Sequence, residues 1–326
     1  METTTMTANP TLRPATLPAE PRTQAPAYTY EETLQAAQRV NWKIEDIIGG
    51  ERRLDFSRPF MPESLARVAT LDFLTEAEQR TLNQIRGNAY LCIFGLVEEF
   101  ILPFVMDHAR PMLHGDDWRV RALLQFAGEE AKHIQLFKRF REEFEKGFGT
   151  RCEVIGPPEA IARAILSKHP LSVALVILHI EWMTQRHYLD SIKDDRDLDP
   201  QFKSLLKHHW MEEAQHAKLD TLMVEALAAA CTPEEIARAV DGYLEIGGML
   251  DAGLTQQTEF DRDAFERATG RRLTDKEKET FTSLQLQANR WTYLGTGMTH
   301  PKVLETFERT MPGARAKIEN VAPLFS

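Results

Sequence analysis

The hydrophobic and polar positions follow a helical rhythm from Tyr30 to the C-terminus, and the breaks in that rhythm delimit the elements. Apolar residues recur every three or four positions over long windows, the stripe that a surface helix turns toward a core. Interruptions fall at Pro111–Trp118, Gly147–Pro158, His169–Pro170 and Asp194–Pro200, where proline, glycine and clustered acidic residues cannot continue a helix. These cuts predict long helices over 75–110, 117–147, 170–193 and 200–230, then helices near 233–258, 275–295 and 301–311. Starts are marked by capping-box pairs, Thr75 with Glu78, Thr232 with Glu235 and Thr274 with Glu277, in which each side chain satisfies a helix-end amide. Alternating β-branched runs joined by hairpin turns are absent. The expected class is all-α: a four-helix bundle with additional N- and C-terminal helices, forming one domain over 29–326. The Thr-, Pro- and Ala-rich first 28 residues carry no apolar stripe and are expected to be a disordered tail.

Composition narrows the class of partner. Over 326 residues the formal charge is −10, which opposes nucleic-acid binding because phosphate backbones attract basic surfaces. Three scattered cysteines lack metal-type spacing and suit a reducing compartment. The longest uninterrupted apolar runs, such as Leu171 to Ile180, fall well short of the ~20 residues of a membrane span. A cytoplasmic protein with no membrane contact is expected, and a homodimer is compatible.

Charge on the buried stripes changes the picture. At ~100° per residue, Glu130 and His133 share a face with Leu123, Phe126, Ala127, Ile134 and Phe137, while Glu213 and His216 lie with Leu206, Trp210 and Ala217. One Glu-x-x-His pair is a weak signal, but the spacing of its companions is not. Glu98, Glu130 and His133, shifted by 83 residues, land on Glu181, Glu213 and His216 without adjustment. Each glutamate pair is 32 residues apart across a turn, about 12 residues down one helix and 13 up the next, so all four carboxylates and both imidazoles reach one level at ~1.5 Å of rise per residue. Four buried carboxylates would repel one another or bind protons. Two divalent cations cancel that charge, and a glutamate from each of two helices with Glu-x-x-His from the other two is the pattern of di-iron and di-manganese bundles.

Other residues carry softer signals. His209, one turn before Glu213 on the same stripe, is a seventh ligand or a hydrogen-bonded core histidine, the ligand being favoured. Asp220 is placed to orient an imidazole or to make a plain polar contact. Thr184, Gln185 and Tyr188 share the Glu181 face and either line a cavity or fill the core. Glu99 points ~100° away from Glu98. Glu129 and Glu212, each preceding a motif glutamate, read as edge or surface residues, and His108, His114, His169, His179, His187, His208 and His300 as surface or packing residues.

The string His209-Trp-Met-Glu-Glu213-Ala-Gln-His216, with Glu98, Glu130, His133 and Glu181, resembles the p-aminobenzoate N-oxygenase family of ferritin-like di-iron proteins over roughly residues 60 to 310. The resemblance implies two irons held by four glutamates and three histidines, the third matching His209. It also implies oxidation of aryl amines by dioxygen in natural-product pathways. Iron is the expected metal, with manganese or a mixed Mn/Fe pair as the alternative. No flavin, nicotinamide or iron–sulfur motif supplies electrons, so an external reductase is expected beside the small-molecule substrate. The alternative functions are a di-metal oxidase or desaturase acting on an acyl chain, and an iron-binding or storage protein.

Overall fold

The computed structural model describes residues 27–325, so the tail expected over 1–28 lies, but for its last two residues, outside the described residues. The described chain contains no strand. Its first elements are short: α1 (Tyr30–Ala37), α2 (Ile44–Ile47) and α3 (Glu63–Ala66). Between them the chain is largely irregular, so the expectation of near-continuous helix from Tyr30 fails before residue 75. Pro59 and Pro62 bar longer helices there, and the polar side chains of the bundle hold the segment instead. Asn83 Oδ1 accepts from the Phe60 and Met61 amides (2.7 and 2.9 Å) and its Nδ2 donates to the Met61 carbonyl. Phe60 then stacks on Phe202 at 5.1 Å.

The long helices follow as the sequence pattern predicts, α4 (Glu76–Ala109), α5 (Asp117–Phe148), α7 (Pro170–Arg186) and α8 (Pro200–Ala229), with a short α6 (Pro158–Leu166) before α7 that the pattern did not mark. All three expected capping boxes are formed. Asp116 and Asp199 cap α5 and α8 through the Arg119 and Phe202 amides. Asp199 also accepts from the Asp55 amide at 2.9 Å, fastening the N-terminal segment to the start of α8. Helix α7 does not stop at Arg186 but widens into a π-helical turn over His187–Ile192.

Antiparallel hairpins α4–α5 and α7–α8 face each other and enclose the bundle interior. Around them lie α9 (Pro233–Thr269), α10 (Asp275–Arg290) with a π-helical turn over Trp291–Gly295, α11 (Thr296–Met298), α12 (Pro301–Thr310) and α13 (Ala314–Val321). Helix α9 overruns its expected end near 258 by eleven residues. No breaker stands before Gly270, whose φ of +70° supplies the left-handed C-cap that terminates it. As a unit, Glu76–Met112 is long and apolar enough to cross a membrane, although no single apolar run within it is. Of its most apolar window, 67% is buried inside the protein, which makes it a core helix of the bundle.

Candidate metal centre

Helices α4, α5, α7 and α8 bring all seven residues singled out in the sequence to one place. Glu98, Glu130, His133, Glu181, His209, Glu213 and His216 are each no more than 3% exposed. Equal arm lengths on either side of each hairpin turn put them at one height. The helical stripe turns them inward.

Glu213 stands at the centre of the cluster. Its Oε1 lies 2.6 Å from His209 Nε2 and 3.1 Å from His133 Nδ1, and its Oε2 lies 3.0 Å from His216 Nδ1. Glu98 approaches His209 Nε2 at 3.1 Å and His133 Nδ1 at 3.6 Å, and Glu130 approaches His216 Nδ1 at 2.8 Å. Glu181 hydrogen-bonds to Glu213 from α7. Two sets of donor atoms are compact enough to surround a cation, every atom within 4.8 Å of the others: Glu98, His133, His209 and Glu213, and Glu130, His133, Glu213 and His216. Glu181 stands beside these sets, a member of neither.

Buried anions at this density distort proton affinities. Burial alone would depress the imidazoles, but Glu213 and its neighbouring carboxylates hold His133 and His216 well above the ordinary histidine range, and His209 above it too. Burial favours the neutral form of Glu213 as well; the surrounding imidazoles outweigh it and hold this carboxyl well below its usual range. Burial, with the Glu213 charge beside it, pushes Glu181 well above the carboxylate range.

The donor set fits a pair of metal ions. Glu98 Oε2, Glu130 Oε2 and Glu181 Oε2 are buried and lack hydrogen-bond partners. Such atoms are costly to bury unless something else is bonded to them. The mixed carboxylate and imidazole chemistry suits iron, manganese or zinc.

Glu129 and Glu212 correct the sequence reading. Expected at the edge or surface, they are 4% and 1% exposed and reach across to the opposite hairpin. Glu212 Oε2 takes His133 Nε2 at 2.9 Å, and Glu129 Oε2 takes His216 Nε2 at 2.9 Å. Each carboxylate thereby claims the far ring nitrogen and leaves Nδ1 facing the cavity, the tautomer a metal needs. Gln125 donates to Glu129 Oε1 at 2.8 Å, and Lys132 pairs with Glu212 Oε1. The physical reason is the contact between α5 and α8: a residue one position before the inward-facing glutamate points at the neighbouring helix rather than at solvent. A signal was present, because Glu129 and Glu212 are themselves 83 residues apart.

Trp42 carried no sequence signal, lying between α1 and α2 where there is no periodicity. Its ring stacks on His133, 6.0 Å between centroids and 10° between planes, with the Lys132 ammonium 3.8 Å above it. Asp220 is buried, neither carboxyl oxygen has a partner, and burial pushes it well above its usual range. The other three residues of the Glu181 face are engaged away from the cluster. Thr184 donates to the Ile180 carbonyl, Gln185 to the Trp210 carbonyl at 3.2 Å, and Tyr188 stacks on Trp210 at 4.4 Å. His179 and His187, read as surface or packing residues, are buried against the hydroxyls of Tyr243 and Tyr90. Burial holds their pKa values down, to about 4 and about 3.

Among solved structures, the chain is similar to R2-like ligand-binding oxidase with aerobically reconstituted Mn/Fe cofactor at 14% identity and a TM-score of 0.47, covering 82% of this chain and 93% of that one. A variant of that oxidase with an Fe/Fe cofactor gives 17% identity and a TM-score of 0.44 over the same shares. No curated protein matches. The family model of p-aminobenzoate N-oxygenase AurF matches residues 30–280, a span that holds all seven clustered residues as well as Glu129 and Glu212. The chain therefore belongs to the p-aminobenzoate N-oxygenase AurF family and is a dioxygen-dependent di-metal oxidoreductase.

Proposed function

We propose that residues 29–326 act as one domain that N-oxygenates an amine, with an aryl amine as the substrate class. Glu98, Glu130, Glu181 and Glu213 with His133, His209 and His216 would hold two metal ions, iron being the first candidate. Such ions supply the electrons and open coordination positions by which dioxygen is activated. The chain's own task is then positional. Glu129 and Glu212 fix the two Glu-x-x-His imidazoles with Nδ1 inward, Glu213 lies between the three histidines, and surrounding phenylalanines exclude water. Phe126 stacks on His216 at 4.1 Å, and Phe94 and Phe137 meet the His209 ring edge-on at 5.6 and 5.0 Å.

The observation that carries the amine assignment is the third histidine, His209, packed against Glu98 and Glu213 within a chain matched by the N-oxygenase family over most of its length. Electrons for repeated turnover would come from a separate reductase. The test is to load the protein anaerobically with ferrous ion, admit isotopically labelled dioxygen, and offer amines, phenols and acyl chains in parallel. Label on the nitrogen of a hydroxylamine or nitro product is the expected result. Label appearing only on carbon, or desaturation of the acyl chain, would overturn the assignment in favour of the oxidase reading.

A further inference from the structure

The bundle around the cluster is covered differently on its two sides. On one side the long helix α9 packs against both α4 and α7, burying Val240, Tyr243, Ile246 and Leu254. On the other, the groove between α5 and α8 is filled by α1, α2 and the irregular backbone beside them, each short helix touching both α5 and α8. Of residues 38–54 in this cover, only Trp42, Ile47, Ile48 and Leu54 are buried. Its polar ties to the bundle are few: Gln201 Nε2 donates to the Ile47 carbonyl, and Arg53 Nε stands 3.3 Å from Glu143. Segments with little buried apolar surface and exposed backbone are the ones that open locally while the rest of a protein stays folded.

Trp42 is the plug in this cover. Its ring lies over His133, and its Nε1 is buried without an acceptor, a cost to the closed form that opening to water removes. Beneath the ring runs an ionic path from solvent to the cluster: Lys132, whose side chain is 24% exposed, pairs with Glu212, and Glu212 holds His133. An ion crosses an apolar face such as that of α9 only by giving up its hydration, at heavy cost. A hinge lies in the same segment. Gly49 and Gly50 follow one another with φ of +108° and +62°, conformations that glycine takes freely and side chains resist. A Cβ at Gly50 would meet nothing within 4 Å, so only backbone conformation calls for glycine there. Fixed points flank the segment, Leu34 and Ala37 buried in α1 on one side and the Asp55 amide bonded to Asp199 at 2.9 Å on the other.

We propose that residues 38–54 are a gate over the metal centre, swinging at Gly49 and Gly50 to lift Trp42 from His133 and let divalent cations in and out between α5 and α8. The gate rests on the seven-residue ligand assignment for what passes through it and is independent of which substrate is oxidised. Trp42 acts on the rate of exchange and ligates nothing.

Uptake of cobaltous ion by the full-length metal-free chain, and its removal by a chelator, test this when both are followed by absorbance. In the wild type, uptake should level off as the ion concentration rises, because opening limits entry. Gly50→Ala strains the closed form and should speed uptake and removal alike by about five- to thirtyfold, the factor that corresponds to a left-handed residue other than glycine. Gln201→Ala frees the Ile47 carbonyl and should speed both by about two- to tenfold. Affinity should stay within about twofold in each, since a gate changes the two rates together. Gln257→Ala frees the Ile155 amide and the Glu153 carbonyl on the α9 side; it should lower melting at least as far and leave both rates within about twofold. Unchanged rates in Gly50→Ala and Gln201→Ala, uptake that never levels off, or equal acceleration by Gln257→Ala would each overturn the gate. A chain that takes up no cobalt overturns the ligand assignment and the gate together, whereas two ions per chain with rates unmoved overturns the gate alone.

Discussion

Glu212 offers a quantitative test of how the centre is built. Its carboxylate accepts from His133 Nε2 at 2.9 Å with both groups buried, and its other oxygen pairs with Lys132. A hydrogen bond to a buried charged group is worth about 1.5–3 kcal/mol. Partners that orient metal-ligating histidines typically change metal affinity 10–100-fold, or about 1.4–2.7 kcal/mol. The two routes to the magnitude agree, so Glu212→Ala should weaken one metal site by roughly one to two orders of magnitude. Glu129→Ala should do the same through His216, its partner also at 2.9 Å. Glu212→Gln keeps an acceptor but loses the charge and should fall between wild type and Ala. The two positions should differ in one respect. Glu212→Ala strands a lysine whose side chain is 24% exposed, while Glu129→Ala strands a neutral glutamine, so the former should also lower melting further. Anaerobic titration with ferrous or cobaltous ion against a competing chelator reads both dissociation constants. Unchanged affinity within about twofold in both Ala variants, or a Gln variant as weak as Ala, would refute the claim that these carboxylates set the histidine tautomer.

Removing metal should lower melting near neutral pH, because an ion present at 100 times its dissociation constant stabilises the native state by about 2.7 kcal/mol; scanning calorimetry of metal-free and loaded protein measures it, and equal melting would argue against a filled site. Glu130→Ala and Glu213→Ala should each abolish stoichiometric binding of the second ion, read by metal analysis per chain, and retention of two ions in both would show the ligands misassigned. Trp42 fluorescence should be quenched on iron loading because its ring stacks on His133 at 6.0 Å, and Trp42→Phe should remove the metal-dependent part of the signal. Asn83→Ala strands the Phe60 and Met61 amides and the Met61 carbonyl and should cost roughly 3 kcal/mol, measured by urea denaturation, with metal stoichiometry unchanged.

Periodicity and spacing alone determined the helices of the two hairpins and the residues that meet between them. A helix fixes the direction of each side chain by its position, and two helices of equal length joined by a short turn must return to the same height. Hence Glu98 and Glu130, like Glu181 and Glu213, could be paired by counting, and proline and glycine marked most of the ends. What counting could not supply was everything that depends on which helix lies beside which. Glu129 and Glu212 sit about 100° from the inward stripe, a direction that is solvent for an isolated hairpin and a neighbouring histidine once α5 and α8 pack together. Trp42 and Asn83 work through irregular backbone, which has no period to betray what it touches. The cavity lined by Leu91, Ile134 and Phe137 is closed by Gln256 and Phe260 of α9, which is remote from the α4–α5 hairpin in the chain. Local geometry wrote the ligands into the sequence; the groups that orient and cover them were decided only by long-range packing, because their partners are set by contact rather than by spacing.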